Sequence, residues 1–173
     1  DEPEIWLNYR SFRILADAVK SATPGVPRTV LLCRFGFEPG LTAYLDGHSE
    51  IHWHDPYPVP RTPVSSVKTR METSREMSGG KQAVWCVVQA FDWDQQAVRD
   101  KRPEDVEPKA GKIRCMAHLA LTAKVTGLIF YWLPKDRYDM KIHSPVQWAE
   151  VCSTVKELNG LLEYLTGRHV ELD

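Results

Sequence analysis

Hydrophobic residues run almost without a break through residues 83–91, Ala-Val-Trp-Cys-Val-Val-Gln-Ala-Phe, and this stretch dominates the pattern of the chain. An apolar run of this length, rich in β-branched and aromatic residues, is typical of a parallel strand covered on both faces. Its end is polar, with Gln89, Asp92 and Trp93 leading into a long hydrophilic stretch. Because the chemistry of parallel α/β folds gathers at the carboxyl ends of the strands, these three residues are the first candidates for a functional site.

Three further apolar stretches predict strands, at residues 29–33, 50–54 and 126–132. Between and around them, apolar residues recur at helical spacing. This spacing predicts helices over about residues 5–19, 63–77, 113–123 and 145–167, with at most one or two helical turns around residues 41–45 after the first strand. One helix followed by four strand-plus-helix units predicts a parallel sheet with right-handed crossovers.

Two α/β architectures fit this order within a single domain of residues 1–173. The first is a half (β/α)₈ barrel with four parallel strands and flanking helices, since a full barrel takes about 250 residues. The alternative is an open doubly wound parallel sheet with helices on both faces. Periodicity alone leaves both open.

The charge balance argues against a nucleic-acid partner. Lys and Arg number 22 against 23 Asp and Glu, for a net charge of −1, and the basic residues are scattered. The longest apolar run, residues 127–133, is too short to cross a bilayer, so no membrane partner is predicted. The four cysteines show no close spacing and are predicted to be reduced core thiols, which favours a cytoplasmic location.

Three histidines, His48, His52 and His54, raise the question of a metal site. His52 and His54 project from one strand face, and with Asp55 they would form an incomplete zinc set. No further ligand spacing supports a metal, so histidines hydrogen-bonded at a polar strand end are the preferred interpretation. No glycine-rich phosphate loop follows a strand, and no cofactor is predicted.

The ends of the second and fourth predicted strands add further candidates. Asp55 and Tyr57 follow the second strand, and Trp132 ends the fourth. An indole at a strand end can stack on a sugar ring or fill the core, and Asp55 can bind ligand or cap its loop. The candidate ligand-binding residues are His54, Tyr57, Gln89, Trp93 and Trp132.

Several segments, taken in order, resemble the carboxyl-terminal half of a glycoside hydrolase-like (β/α)₈ barrel family. They are residues 1–4 (Asp-Glu-Pro-Glu), 55–58 (Asp-Pro-Tyr-Pro), 84–91, 102–103 (Arg-Pro), 113–121 and 127–131. The resemblance spans nearly the whole chain. It implies that these strands correspond to the last four of such a barrel.

The resemblance also implies roles for particular residues. The family's Asp-Glu-Pro motif carries its acid/base glutamate, which here falls on Glu2, second in a chain whose ends are usually poorly ordered. The place of the family's nucleophile falls on Gln89, which can orient a sugar hydroxyl but cannot attack an anomeric carbon. The nearest replacements are Asp55 and Asp92. Retaining glycosidases place their two carboxyl groups about 5 Å apart and inverting ones roughly 6.5–9.5 Å apart.

A half barrel carries helices on its outer face only, so its inner face, predicted to include Val87, Leu128 and Phe130 or their neighbours, needs a cover. Soluble monomers rarely expose large apolar patches, and a homodimer is therefore predicted. The favoured function is a domain that assembles with a second half and binds saccharide, without catalysis by the isolated chain. The alternative is an active carbohydrate-hydrolysing enzyme that uses Glu2 with Asp55 or Asp92 in the assembled site.

Overall fold

Four parallel strands form the centre of the molecule. The computed structural model describes residues 1–34, 40–91, 110–131 and 139–166. Its strands are β1 (Thr29–Leu32), β2 (Ile51–His54), β3 (Ala83–Gln89) and β4 (Gly127–Tyr131). They form one sheet in the order β1-β2-β3-β4, and each neighbouring pair is parallel. All four strands predicted from the apolar pattern are confirmed.

The helices follow the predicted alternation, but the first and the last predicted helices are each divided into two. The α-helices are α1 (Pro3–Trp6), α2 (Tyr9–Ala22), α3 (Ser66–Met77), α4 (Lys112–Thr122), α5 (Met140–His143), α6 (Pro145–Gly160) and α7 (Leu162–Leu165), with a 3₁₀ turn at Thr42–Tyr44. The first predicted helix is divided because the side chain of Asn8 accepts a hydrogen bond from the backbone N–H of Ser11 and caps α2. Within the described residues, no helix has both the length and the apolar character that spanning a membrane requires.

The strand order decides between the two predicted architectures. Strands that follow one another in sequence are neighbours in the sheet, with no reversal of direction across it. Right-handed crossovers that always advance the same way place every connecting helix on the same side. A doubly wound sheet needs a point where the order reverses, so the topology is that of consecutive units of a barrel.

One face of the sheet, which we call the helical face, carries the hydrophobic core. Val84, Cys86 and Val88 of β3 lie buried against α3 and α4, while Val30 and Leu32 of β1 belong to a second cluster with Phe12 and Tyr44. These even-numbered strand residues share a face because side chains alternate along a strand.

Two residues predicted for the inner face lie on the helical face instead. Leu128 and Phe130 of β4 are half-buried and pack against the larger core cluster. The prediction allowed for neighbouring positions, because β4 is apolar throughout and its pattern does not show which residues point inward. Their neighbour Ile129 lines the opposite face, as the predicted Val87 does.

The opposite face, which we call the open face, carries a row of side chains at one level. The strand register aligns Leu31 with Trp53, Trp53 with Trp85, and Trp85 with Gly127. The indoles of Trp53 and Trp85 stack, with ring centroids 5.3 Å apart and planes 17° apart. These odd-numbered strand residues point away from the helical face, and two of them present large aromatic rings.

The cysteines divide differently from the prediction. Cys86 is buried and Cys33 is half-buried, but Cys115 on α4 and Cys152 on α6 are exposed. Only two of the four thiols therefore lie in or near the core, because the other two occupy the outward sides of their helices.

We predict that Gly127→Ala disrupts the aromatic row. A Cβ atom at position 127 would lie 2.7 Å from three ring atoms of Trp85. To remove this clash the Trp85 indole would have to shift away from its stacked position on Trp53. Overpacking of this kind costs about 1–3 kcal/mol of unfolding free energy. Chemical denaturation with near-ultraviolet circular dichroism measures both the loss and the altered indole environment.

The control for this variant is Gly160→Ala. Position 160 ends α6, and a Cβ there meets nothing within 4 Å. Alanine is favoured over glycine in helices, so this change should be neutral or slightly stabilising. Equal stability of the two variants would show that the Trp85 ring does not need the space above Gly127.

Candidate functional site

A cavity of about 730 Å³ opens on the open face at the carboxyl ends of the strands. We call it the strand-end cavity. Residues from the amino-terminal segment and all four strands or their following loops line it, among them Glu2, Cys33, Trp53, Asp55, Tyr57 and Tyr131. Three of the predicted site residues, Glu2, Asp55 and Tyr57, therefore face one space.

Glu2 is held in place beside β1. Its backbone N–H donates to the carbonyl of Leu31 at 3.0 Å. Two residues later, Oε1 of Glu4 accepts from the backbone N–H groups of Cys33 at 2.7 Å and Arg34 at 3.2 Å. Glu2 itself has φ 46°, in the left-handed region that side-chain-bearing residues seldom adopt. The segment is thus tied to the end of the first strand and does not behave as a loose terminus.

Asp55 is a buried carboxyl group at the tip of β2. It is 9% exposed, and its Oδ1 has no hydrogen-bond partner among the described residues. Burial, reinforced by the nearby Glu2 carboxylate, raises the pKa of Asp55 to about 7. At neutral pH this carboxyl group is close to the midpoint of its titration.

Tyr57 and Tyr131 form an aromatic pair at the mouth of the cavity. Their rings stack with centroids 5.9 Å apart, and Phe91 meets the Tyr57 ring edge-on at 4.9 Å. Burial raises the pKa of the Tyr57 hydroxyl, which keeps it protonated. Tyr131 was not predicted as a site residue, although it immediately precedes Trp132 at the end of the fourth strand.

Gln89 is fully buried and engaged by the backbone. Its Oε1 accepts from the N–H of Val59 at 3.0 Å, and its Nε2 donates to the carbonyls of Val59 at 3.0 Å and Phe91 at 3.3 Å. The amide clamps the loop after β2 to the tip of β3. These contacts use both the donor and the acceptor of the amide in hydrogen bonds within the protein. This placement gives no support to the prediction that Gln89 binds ligand.

His54 lies on the helical face and points away from the cavity. It is fully buried, its Nδ1 meets the hydroxyl of Ser74, and its Nε2 is 2.9 Å from the carbonyl of Arg34. The Ser74 hydroxyl also lies 3.0 Å from the carbonyl of Arg70, to which it donates. Burial holds the pKa of His54 well below its ordinary value, which keeps the ring neutral. Its position does not fit the predicted role in ligand binding.

The neighbouring His52 has the same orientation. Its ring lies 4.4 Å from that of His54, and burial lowers its pKa to about 4. Asp55 points to the other face because adjacent strand residues alternate. Among the described residues, no group of three or more His, Cys, Asp or Glu side chains could hold a metal ion.

Three predicted site residues, Asp92, Trp93 and Trp132, lie outside the described residues. Their roles stay predictions.

Several residues of the cavity were missed by the sequence reasoning. Arg61 comes from the loop after β2 and Arg70 from α3, so two cations line the same space as the carboxyl groups. Cys33 also lines it, and burial next to Glu4 raises the pKa of its thiol to about 12, which favours the neutral thiol near neutral pH. Arg70 lies in the middle of a helix, where nothing in the sequence marks it as a residue of the strand ends. Cys33 directly follows β1, so its position at a strand end could have identified it as a candidate site residue.

Comparisons with known proteins bear on the fold. No family model and no curated protein matches the sequence. Among solved structures, a β-galactosidase from Bacillus circulans sp. alkalophilus superposes with a TM-score of 0.67 at 19% identity, covering 91% of this chain and 24% of that one. A putative α-L-fucosidase from Bacteroides thetaiotaomicron superposes with a TM-score of 0.57 at 12% identity, covering 90% of this chain and 51% of that one.

The chain has the α/β fold of a partial barrel, as found in parts of these two proteins. It spans about a quarter and about half the length of these two proteins, and it supplies four parallel strands with helices on one side. The open face of this half barrel corresponds to the barrel interior, and the strand-end cavity lies at the edge where barrel enzymes place their sites.

We predict that Gln89→Glu destabilises this half barrel at alkaline pH. A buried carboxylate at position 89 would face the Val59 and Phe91 carbonyls that the amide Nε2 now contacts as a donor. Losing those donors and burying a charge should cost about 2–4 kcal/mol of unfolding free energy at pH 8. Denaturation of variant and wild type at pH 8 and pH 5 measures the difference.

The pH dependence is the internal control for this variant. A protonated carboxyl group at position 89 can donate to one of the two carbonyls, so the penalty should shrink as the pH falls. A variant as stable as wild type at pH 8 would contradict the clamp and would leave position 89 available for ligand.

Proposed function

We propose that this half barrel assembles with a second half over its open face and binds saccharide in the strand-end cavity. The observation that supports this most directly is the open face itself. It carries a stacked tryptophan pair, while the helices of the two core clusters pack against the other side of the sheet. Trp53 and Trp85 are only half-buried in the single chain, and apolar side chains left in this state favour a cover in water.

A second copy of the chain is the cover that we propose, with four strands set against four around a two-fold axis. Covering apolar surface on the order of 600 Å² per chain would give a gross gain of roughly 15 kcal/mol at about 25 cal/mol per Å², before the costs of association. Ile129 lines the same cavity as Trp53 and is only half-buried, so it extends the surface that the partner would bury.

Saccharide is the ligand class that suits the cavity. Tyr57, Tyr131 and Trp53 present aromatic rings, and such rings can stack on the apolar face of a pyranose. Asp55, Arg61 and Arg70 add polar groups that can meet sugar hydroxyls. The two structural neighbours are named for enzymes that act on β-galactosides and α-L-fucosides, so these sugars are the first to test.

Hydrolysis is a second candidate function, because Glu2 and Asp55 line the same cavity. In this candidate, Glu2 acts together with either Asp55 or Asp92 in the assembled site. The buried and clamped Gln89 offers no nucleophile. Turnover of an aryl β-galactoside that disappears in Glu2→Gln would separate this candidate from binding alone.

We expect the chain to be a dimer at micromolar concentration, near twice its mass of 19.8 kDa. Ile129→Asp on the open face should convert it to monomer, because a carboxylate in the interface must be desolvated. Analytical ultracentrifugation of both proteins, with circular dichroism to confirm folding, measures this.

A matched control for the assembly experiment is Thr69→Asp on α3. Residue 69 is exposed on the helical side, so this variant should remain dimeric. A compact, stable wild-type monomer of about 20 kDa would contradict the proposed assembly.

Saccharide binding should perturb the residues of the strand-end cavity. We expect methyl β-D-galactopyranoside or methyl α-L-fucopyranoside to shift the amide resonances of Asp55, Tyr57 and Tyr131. A Tyr57→Ala variant should lose affinity through the stacked tyrosine pair. Shifts confined to the amino ends of the strands, near Thr29 and Ala83, would place binding elsewhere.

A further inference from the structure

Asp55 combines two properties that seldom occur together in a carboxyl group. It is more than nine-tenths buried, yet its Oδ1 has no hydrogen-bond partner among the described residues. Buried polar atoms are normally paired, and an unpaired one that lines an open cavity points to a group outside the described residues. Among those residues, the cavity wall at this point has an unused hydrogen-bonding position.

The surroundings of Asp55 favour its protonated form. Burial is the largest influence on its pKa, and the carboxylates of Glu2 and Glu4 add to it, while a backbone hydrogen bond of Asp55 itself and the charge of Arg70 oppose it. Together these raise the pKa of Asp55 to about 7. Other titratable groups near it are Cys33 after β1, Cys86 on β3, and Tyr57 on its own loop.

We infer that Asp55 is the hydrogen-bond donor of the strand-end cavity, presenting a carboxyl O–H to an acceptor oxygen of a bound saccharide. This inference rests on the proposed saccharide binding. The oxygens that suit such a donor best are the ring and glycosidic oxygens, since an ether oxygen has no proton and can only accept. Glu2, the less buried carboxyl group of the same cavity, can accept hydrogen bonds from sugar hydroxyls.

This assignment differs from the one that the family resemblance implies. The resemblance places the proton donor on Glu2, whereas the buried and unpartnered carboxyl group is Asp55. Two titratable groups in one site take different roles when their environments differ in burial, and the more buried carboxyl group retains the proton.

The protonation of Asp55 can be measured in the full chain without ligand. The chain is labelled with ¹³C at the aspartate carboxyl carbons, and Asp55→Asn identifies the resonance of position 55. We expect its titration midpoint near pH 7, and a lower midpoint in Glu2→Gln, because that change removes a neighbouring negative charge. Glu72→Gln on the outer side of α3, where Glu72 pairs with Lys68, is the matched control and should leave the midpoint unchanged.

The donor role is tested by the affinity for methyl β-D-galactopyranoside at pH 6 and pH 8.5. The affinity of the wild type should be about tenfold or more lower at pH 8.5 than at pH 6. The carboxyl group of Asp55, with a pKa of about 7, is almost wholly ionised at the higher pH and can no longer donate. Asp55→Asn keeps an N–H donor and should bind equally at both values. Asp55→Leu has no donor and should bind weakly at both.

The outcomes are separable. A midpoint near 4, or wild-type affinity that is flat with pH while Asp55→Asn binds weakly, would overturn the inference. A midpoint near 7 with no binding of either methyl glycoside at any pH would remove the proposed saccharide function, and with it the donor role toward sugar. In that case the protonated state of Asp55 would remain as measured.

Discussion

The direction in which the chain winds is the constraint on which the rest of the structure depends. Every strand follows its predecessor into the neighbouring place in the sheet, and right-handed crossovers then put the helices on one side. The even-numbered strand residues become a conventional core against α3 and α4. The odd-numbered residues are left to build a second face, and the carboxyl ends of all four strands meet at one rim of it.

At this rim the molecule brings acidic and basic side chains together in one cavity. Asp55 is buried beside Glu2, while the cations Arg61 and Arg70 approach the same cavity from the loop after β2 and from α3. The loop is held by the Gln89 amide and the amino-terminal segment by Glu4, so the groups around Asp55 are fixed by hydrogen bonds from two directions. An amide suits position 89 because it donates and accepts at once, which a carboxylate cannot do.

The elements of this fold could be predicted from sequence more readily than the roles of its residues. Apolar runs identified all four strands, since buried parallel strands are apolar on both faces. For the same reason the pattern of β4 gave no indication that Leu128 and Phe130 face the helices. The alternation of His54 and Asp55 was visible in the sequence, but the contact between Gln89 and Val59 joins residues 30 positions apart and depends on the path of a loop. Tertiary contacts of that kind are not encoded in local spacing.

The attachment of Glu4 to the end of β1 also affects how the sheet edge can be used. An exposed parallel edge offers unpaired N–H and C=O groups to any passing strand, which is a common origin of aggregation. Here the carbonyl of Leu31 is taken by Glu2, and the N–H groups of Cys33 and Arg34 are taken by Glu4. The chain thus caps the carboxyl end of its own edge with a carboxylate, and ladder growth by another molecule is blocked at the rim that must stay open to solvent.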